Sequence, residues 1–451
     1  MSARNSSNRR APAKRPAPKG KDRRGERVTV AIDRIGVQGD GLAQVDGVPL
    51  FLLGGLPGET VTATLTVRRG DGWAGRVETV AEGASPDRVP SICTLFGRCG
   101  GCSLHHLSEA AQADLKTDRI RRALQRADFD AVPLRPLLMS PPASRRRASF
   151  SARRTAQGVI LGFHEAASAT ILPLDACPIL RPALVEALPA VREALARLLP
   201  PGGMVDVVMT ETGAGLDLVL VGLEKPDLAG REALADVADR LDLARLAWSK
   251  DATSPVEILA ERRAPWLMLD TARAILPPGA FLQATTEGEA VLIAGVRAAL
   301  EGVPPRALVM DLFAGLGTFT LPLAAEGLRV TAVEGLADPL TALDRAARQA
   351  QFPVTTLQRD LERRPMLASE LDGFAAVVID PPRAGAKAQS AELAASRVPL
   401  IAAVSCNPDT FARDAAVLVE GGYRLDWVQP VDQFRWSPHV ELVARFSRPT
   451  G

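Results

Sequence analysis

The chain has 451 residues, 47% of them apolar and 24% charged, with a formal net charge of +2. That profile suits an ordinary globular protein of roughly two to four domains. No uninterrupted apolar run in the sequence approaches the ~18 residues of a membrane-spanning helix, and Gly and Pro follow no period, which argues against fibrous and repeat architectures.

The charge is uneven. Residues 1–27 carry ten Lys/Arg and two acids, and this net +8 leaves −6 for the remaining chain. The segment has no Leu, Ile, Val or Phe, cannot bury a core, and is expected to be disordered. It reads as a solubilising tail or as a loose electrostatic arm for nucleic-acid phosphates. It lacks the apolar face of a mitochondrial transit peptide, and no signal-peptide core follows Met1, so a cytoplasmic location is expected.

Residues 28–84 read as a small β-barrel of the OB type. Val28–Ile32 is a short strand. Ala43-Gln44-Val45 and Val48-Pro49-Leu50-Phe51 flank Asp46-Gly47, a dipeptide that favours a type I′ hairpin turn. Glu59–Val67 alternates apolar and polar residues, and Gly70-Asp71-Gly72 turns the chain into Ala74–Val80. Residues 85–280 read as a mixed α+β region. It opens with three cysteines, continues with a helix around Leu107–Ala127, and includes strands at Val159–Phe163, Val205–Met209 and Leu216–Val221. Pro182–Leu199 has the spacing of an amphipathic helix.

From 281 to 451 strands and helices alternate. Strands are predicted at Ala307–Leu312, Arg329–Glu334, Val354–Gln358, Ala375–Asp380, Leu400–Ser405, Tyr423–Gln429 and Glu441–Arg445. Helices are predicted at Glu287–Glu301, Phe319–Ala325, Ala337–Gln351, Ala388–Ser396 and Pro408–Glu420. Apolar strands between helices imply an α/β fold, with a mostly parallel sheet covered on both faces and ligands at the carboxyl ends of its strands.

Asp311-Leu312-Phe313-Ala314-Gly315-Leu316-Gly317-Thr318-Phe319 joins the first of these strands to a helix. Gly315 and Gly317 let a ligand approach the backbone, and Glu334 ends the next strand, where an acid can accept from ribose hydroxyls. The dinucleotide pattern wants a third glycine where Thr320 stands. A flanking Asp311 and Phe313 suit S-adenosylmethionine better, the acid meeting its amino-acid end and the ring packing near it.

Ser405-Cys406-Asn407-Pro408-Asp409 follows a strand at the same edge. Asn407 and Asp409 are capping types and Pro408 suits a first helical turn. A thiol at a helix N-terminus is expected to have a lowered pKa and so to be a better nucleophile. Covalent addition of a thiolate to C6 of a uracil would make C5 nucleophilic toward a methyl sulfonium, and a base must then remove the C5 proton. Glu441, in His439-Val440-Glu441, offers a carboxylate. Asp380-Pro381-Pro382-Arg383 holds an acid and a cation on a rigid turn, for contact with cofactor or target base.

The five cysteines form no disulfide framework. Cys93, Cys99, Cys102 and Cys177 are soft ligands with one short pair, a spacing open to an iron–sulfur cluster, to zinc or to no metal. Arg145-Arg146-Arg147 reads either as a solvated basic face or as phosphate contacts.

Together these motifs resemble the bacterial uracil-C5 RNA methyltransferases with an N-terminal TRAM domain and a [4Fe–4S] cluster, the group that contains 23S rRNA enzymes. The resemblance runs from about residue 28 to the C-terminus. It covers Gly39–Ala43 and Leu56–Glu59, Arg98–Cys102, Cys177–Ile179, Asp311–Phe319, Asp380–Arg383, Ser405–Pro408 and His439–Glu441. It implies a Rossmann-like, class I S-adenosylmethionine-dependent methyltransferase domain at 281–451, a TRAM domain at 28–84, and a central iron–sulfur and RNA-binding domain at 85–280. It further implies a cluster on Cys93, Cys99, Cys102 and Cys177, a nucleophile at Cys406 and a base at Glu441. Cofactor contacts are implied at Gln283, Phe313, Thr318, Glu334, Asp360 and Asp380. Thr318 and Thr285 stand where Asn is usual, and Ser103 and His105 where Gln is frequent.

A uridine must leave its stack to reach Cys406, so a loop or bulge is the expected target. The expected partner is RNA, with 23S rRNA ahead of tRNA, and the protein is expected to be a monomer away from membranes. The rival from another class is an RNA-binding or chaperone protein with a vestigial methyltransferase domain.

Overall fold

The computed structural model describes residues 22–448. Most of the basic segment 1–27, as far as residue 21, lies outside them. Two compact units divide the chain, one reaching to Pro86 apart from residues 37–39, the other holding those three and everything from Asp87.

The first unit is a six-stranded sheet of β1 (Arg27–Ala31), β2 (Arg34–Ile35), β3 (Asp40–Val45), β4 (Val48–Leu53), β5 (Thr60–Arg69) and β6 (Gly72–Glu82), in the order β1-β5-β6-β4-β3-β2. The β3–β4 hairpin turns at Asp46-Gly47, both with positive φ (52° and 74°), the type I′ geometry that this dipeptide favours. Alternate residues Val61, Ala63 and Leu65 of β5 pack with Leu50 and Leu52 of β4 in one core.

The second unit begins with α1 (Glu109–Gln125), capped by Ser108, whose side chain accepts from the Ala111 amide. A short β7 (Leu138–Met139) follows. Next come β8 (Arg147–Thr155), β9 (Gly158–His164), β10 (Ile171–Pro173), α2 (Pro182–Glu186), α3 (Leu188–Leu198), β11 (Met204–Thr212), β12 (Gly215–Val221), α4 (Leu228–Arg240), β13 (Arg245–Ser249) and β14 (Glu257–Glu261). The seven strands β8–β14 make a sheet ordered β10-β9-β8-β11-β12-β13-β14, and α2–α4 share its core. The single helix expected over Pro182–Leu199 is two helices. Pro189 has no amide to continue the ladder, and the chain restarts at Leu188 with proline in the first turn.

A hairpin of β15 (Trp266–Leu269) and β16 (Ala272–Ile275) leads to α5 (Thr286–Ala299) and then to the alternating region. Its elements are β17 (Leu308–Leu312), α6 (Thr320–Ala325), β18 (Arg329–Glu334), α7 (Ala337–Gln349), β19 (Val354–Gln358), β20 (Ala376–Ile379), α8 (Lys387–Ala395), β21 (Leu400–Ser405), α9 (Pro408–Glu420), β22 (Arg424–Asp432) and β23 (Glu441–Ser447). They form one sheet, β19-β18-β17-β20-β21-β23-β22-β7, parallel from β19 to β21 and antiparallel at β23. Met310, Leu312, Val377 and Ile379 face one core with α8 and α9 residues, while Val309, Val378, Ala402 and Val404 face another with α5 and α6. Chain order reverses between β17 and β20, so the strand ends there border a topological switch point where such sheets bind ligands. The central region joins this sheet directly through β7 against β22.

Candidate active site

The loop after β17 is shaped for close approach. Phe313 sits at φ +63°, Gly315 at +53° and Gly317 at +97°. A Cβ on Gly317 would lie 2.9 Å from Leu343, so packing requires that glycine; a Cβ on Gly315 would meet nothing within 4 Å, leaving open space above the backbone. Glu334, at the end of β18, accepts from the amides of Gly315 (2.9 Å) and Leu336 (2.8 Å). Thr318 is half-buried in the same loop. Asp360 is exposed after β19, where it accepts from the amides of Glu362 and Arg363, and its backbone lies beside Gly335, the neighbour of Glu334.

Asp311 is fully buried at the end of β17. One carboxylate oxygen accepts from the Thr320 hydroxyl at 2.5 Å, and the other has no partner among the described residues. Burial pushes this carboxyl up to about 7; Asp380 and Glu334 add to the rise and Thr320 opposes it. A buried carboxylate with an open acceptor suits the cationic, hydrogen-bond-donating methionine end of S-adenosylmethionine.

Strand register assembles the rest. Leu312 pairs with Ile379, Ile379 with Ala403, and Ser405 with Leu442. Asp380, Cys406 and Glu441, each one step beyond or before those pairs, therefore gather at one end of the sheet beside the glycine loop. Their mutual influence is electrostatic. Burial and Glu441 push Asp380 up to about 8, and burial pushes Glu441 up to about 7 against the Gln433 amide. Cys406 departs from expectation. Asn407 caps α9 with Pro408 in its first turn, as the sequence predicts, yet the thiol is pushed up to about 11 by burial, Glu441 and Asp380, with Arg383 opposing. Two facing carboxyls and desolvation outweigh the helix terminus.

Gln283 lies at the same end of the sheet. Its amide donates to Asp380 at 3.4 Å and accepts from Gln433 at 2.7 Å. Thr285 caps α5, accepting from the Gly288 amide at 2.9 Å. The arginine run is drawn inward, with Arg146 buried and Arg145 and Arg147 half-buried. Arg146 is buried against Glu289 (2.6 Å) and the Gln283 carbonyl (3.1 Å), Arg147 bonds the carbonyls of Gly279 and Ala280, and Arg145 turns back on the Arg147 carbonyl. These residues build the wall that holds Gln283, with Phe281 75% exposed two positions away.

Cys93, Cys99 and Cys102 lie between β6 and α1, and Cys177 lies between β10 and α2. Burial raises the thiol pKa of Cys99, Cys102 and Cys177, and the neighbouring cysteines add to each rise. Cys99 accepts from the Gly101 amide, and Cys177 from those of Ile179 and Leu180. Among the described residues no group of three or more His, Cys, Asp or Glu side chains is gathered closely enough to hold a single metal ion.

Sequence reasoning missed three features of the site. Thr320 reads only as a missing glycine, yet its hydroxyl holds Asp311. Gln433 carries no motif, and only the folded chain brings it to Glu441. Lys116 carries no motif, yet it is buried in an ion pair with Asp432 and also donates to the Phe434 carbonyl at 3.1 Å.

A sheet parallel from β19 to β21 and antiparallel at β23, with a glycine loop at its switch point and an acid ending the second strand, has the architecture of a Rossmann-like, S-adenosylmethionine-dependent methyltransferase. Residues 354–448 match the tRNA (Uracil-5-)-methyltransferase family. A Rhizobium meliloti protein, named only as an RNA methyltransferase, is 41% identical over 428 residues, covering 93% of this chain and 99% of its own. The 23S rRNA (uracil(1939)-C(5))-methyltransferase of Edwardsiella ictaluri is 33% identical over 417 residues, covering 90% of this chain and 93% of its own. In structure, the Pyrococcus abyssi tRNA (uracil-54, C5)-methyltransferase, solved with S-adenosyl-L-homocysteine, matches with a TM-score of 0.74 at 24% identity, over 93% of this chain and 99% of that one. The chain belongs to the S-adenosylmethionine-dependent RNA uracil-C5 methyltransferases, and it is an enzyme of that class. No helix of the described residues is long and apolar enough to cross a membrane.

Proposed function

We propose that this enzyme transfers a methyl group from S-adenosylmethionine to C5 of a uridine in 23S rRNA, with Cys406 as covalent nucleophile and Glu441 as base. The observation that carries the reading is the register that gathers Cys406, Glu441 and Asp380 at one strand end, beside the open Gly315 loop. The 33% identity to a 23S rRNA enzyme over nearly the whole chain supports the rRNA target.

The chemistry follows from the site. The Cys406 thiol gives its proton to Asp380, which leaves Glu441 free as a carboxylate, and a cationic methyl donor nearby favours formation of the thiolate. The sulfur adds to C6, the resulting enolate attacks the methyl group from C5, and the neutral thioether S-adenosylhomocysteine leaves. Glu441 then takes the C5 proton, the C5–C6 double bond re-forms, and the thiolate departs. Gln283, Phe313, Thr318, Glu334 and Asp360 serve the methyl donor, Gly315 and Gly317 its backbone cradle. Phe281 offers an exposed ring to an unstacked base.

The four remaining cysteines suit an iron–sulfur cluster held by Cys93, Cys99, Cys102 and Cys177. Burial raises the thiol pKa of Cys99, Cys102 and Cys177, and a cluster's iron would offset that cost by taking them as thiolates. The cluster would tie the cysteine loop to the segment after β10. Iron and sulfide content after anaerobic purification tests this, and stoichiometric zinc without iron contradicts it. In this reading residues 28–84 are a TRAM domain, residues 85–280 the iron–sulfur and RNA-binding domain, residues 281–451 the methyltransferase domain, and the protein works as a cytoplasmic monomer.

RNA containing 5-fluorouridine, which has no C5 proton to lose, tests the mechanism. With cofactor, the wild type is expected to form a denaturation-stable complex and Cys406→Ala none. A persistent complex in Cys406→Ala refutes the nucleophile; none with the wild type favours a binding protein. Supplying rRNA and tRNA separately decides between the two targets.

A further inference from the structure

Gln433 follows β22 and is 2% exposed. Its amide nitrogen donates to the Glu441 carboxylate and to Gln283 Oε1 (2.7 Å), and its Oε1 accepts from the Thr285 amide (3.4 Å). Among the described residues, it is the side chain that hydrogen-bonds Glu441. Gln283 in turn donates to Asp380. Two glutamines thus link the two carboxyls that face Cys406, and each directs an N–H at a carboxylate.

The neighbours are shaped around this link. Gly288, inside α5, would carry a Cβ 2.6 Å from Gln433 Cγ and 2.7 Å from Thr285 Oγ1. A glycine within a helix is less favourable than alanine, and here it makes the room that Gln433 needs. On the other side, buried Lys116 pairs with Asp432, and the Phe434 amide donates to Asp432 at 2.8 Å, fixing the residues that flank Gln433.

We propose that Gln433 is a positioning residue that orients the Glu441 carboxylate and keeps it ionised for removal of the C5 proton. This rests on the reading of Glu441 as the base. In the step concerned, Glu441 takes the proton from C5, the C–H pair becomes the C5–C6 double bond, and the C6–S pair leaves with Cys406. Asp432, Asp380 and Cys406 face Glu441 with like or potential negative charge, while the cations nearby are already engaged: Lys116 on Asp432, Arg146 on Glu289, and Arg383 beside Cys406 and His439. A neutral donor such as Gln433 therefore decides how readily Glu441 ionises.

Rapid-quench kinetics with uridine RNA across pH 5.5–9 (roughly the span of a raised carboxyl) test the proposal on Gln433→Met, which keeps the bulk and removes the amide. The acid limb of kcat should move up by about one pH unit, with about a tenfold loss of kcat below it. KM for RNA and cofactor should hold within about twofold, because this interaction serves a late step. A covalent RNA adduct should accumulate at low pH and resolve on a jump to high pH. Gly288→Ala, which displaces the amide without deleting it, should shift the limb in the same direction, and it serves if Gln433→Met does not fold. An unshifted limb in both variants overturns the proposal if Glu441→Gln still accumulates adduct. Normal turnover by Glu441→Gln instead removes the base reading, and the proposal with it.

Discussion

Asp311 shows how a single position bears on both stability and the proposed cofactor site. Thr320 holds its buried carboxyl, and one carboxyl oxygen has no partner among the described residues. Thr320→Val keeps the shape and removes the donor. The variant is expected to lose about 1–3 kcal/mol of stability, the cost of leaving a buried acceptor unpaired. The midpoint of urea unfolding should fall at constant slope, and cofactor affinity should change with it. An unchanged midpoint would mean that Thr320 does not hold Asp311. Cys406 teaches a related lesson. A helix terminus lowers a thiol's pKa only when nothing stronger opposes it, and here burial and two carboxyls do.

At the scale of elements, α1 and the loop before it are tied to the end of β22 and the segment that follows it. Lys116 of α1 forms a fully buried ion pair with Asp432. The amides of Ser103 and Leu104, just past the cysteine loop, donate to the Trp436 carbonyl at 2.9 Å each, and the His105 and Trp436 rings stack at 4.3 Å. Lys116→Met leaves a carboxylate buried without its counter-charge and is expected to cost about 3–5 kcal/mol. Adding Asp432→Asn, which keeps an acceptor for the Phe434 amide and removes the charge, should recover much of that loss. Denaturant midpoints of the single and double variants measure both effects; equal loss in the two would show that the charge pair is not the cause.

In the active-site region Asp311, Asp380 and Glu441 titrate far above the ordinary carboxyl range, at about 7, about 8 and about 7. Their folded pKa values exceed the unfolded ones. Below the unfolded values both states are protonated. As pH rises from about 4 to about 8, the unfolded chain loses its protons first, so stability falls across that window. The melting temperature without ligand should drop over it, less steeply in Glu441→Gln. S-adenosylmethionine, whose sulfonium offsets the buried charge, should stabilise the protein more at pH 8 than at pH 6, and neutral S-adenosylhomocysteine should show less of that difference. Melting curves that respond identically to the two ligands at both pH values would contradict this electrostatic account.

The sequence by itself determined the alternating strands and helices of the catalytic half, because continuous apolar strands and helical periodicity are local signals. Pro408–Glu420 folds as predicted to the residue, and Asp46-Gly47 turns as its chemistry demands. It also put Asp311, Glu334, Asp380, Cys406 and Glu441 at or beside strand ends, where the structure has them. Only tertiary structure decided what lies between elements far apart in the chain. Gln433 meets Gln283 across 150 positions and Lys116 meets Asp432 across 316, and no local pattern encodes those distances. Arg146 reads as a surface charge until the fold buries it against Glu289. The raised pKa of Cys406 has the same origin, because desolvation and facing charges belong to the packed site and not to the five residues around the sulfur.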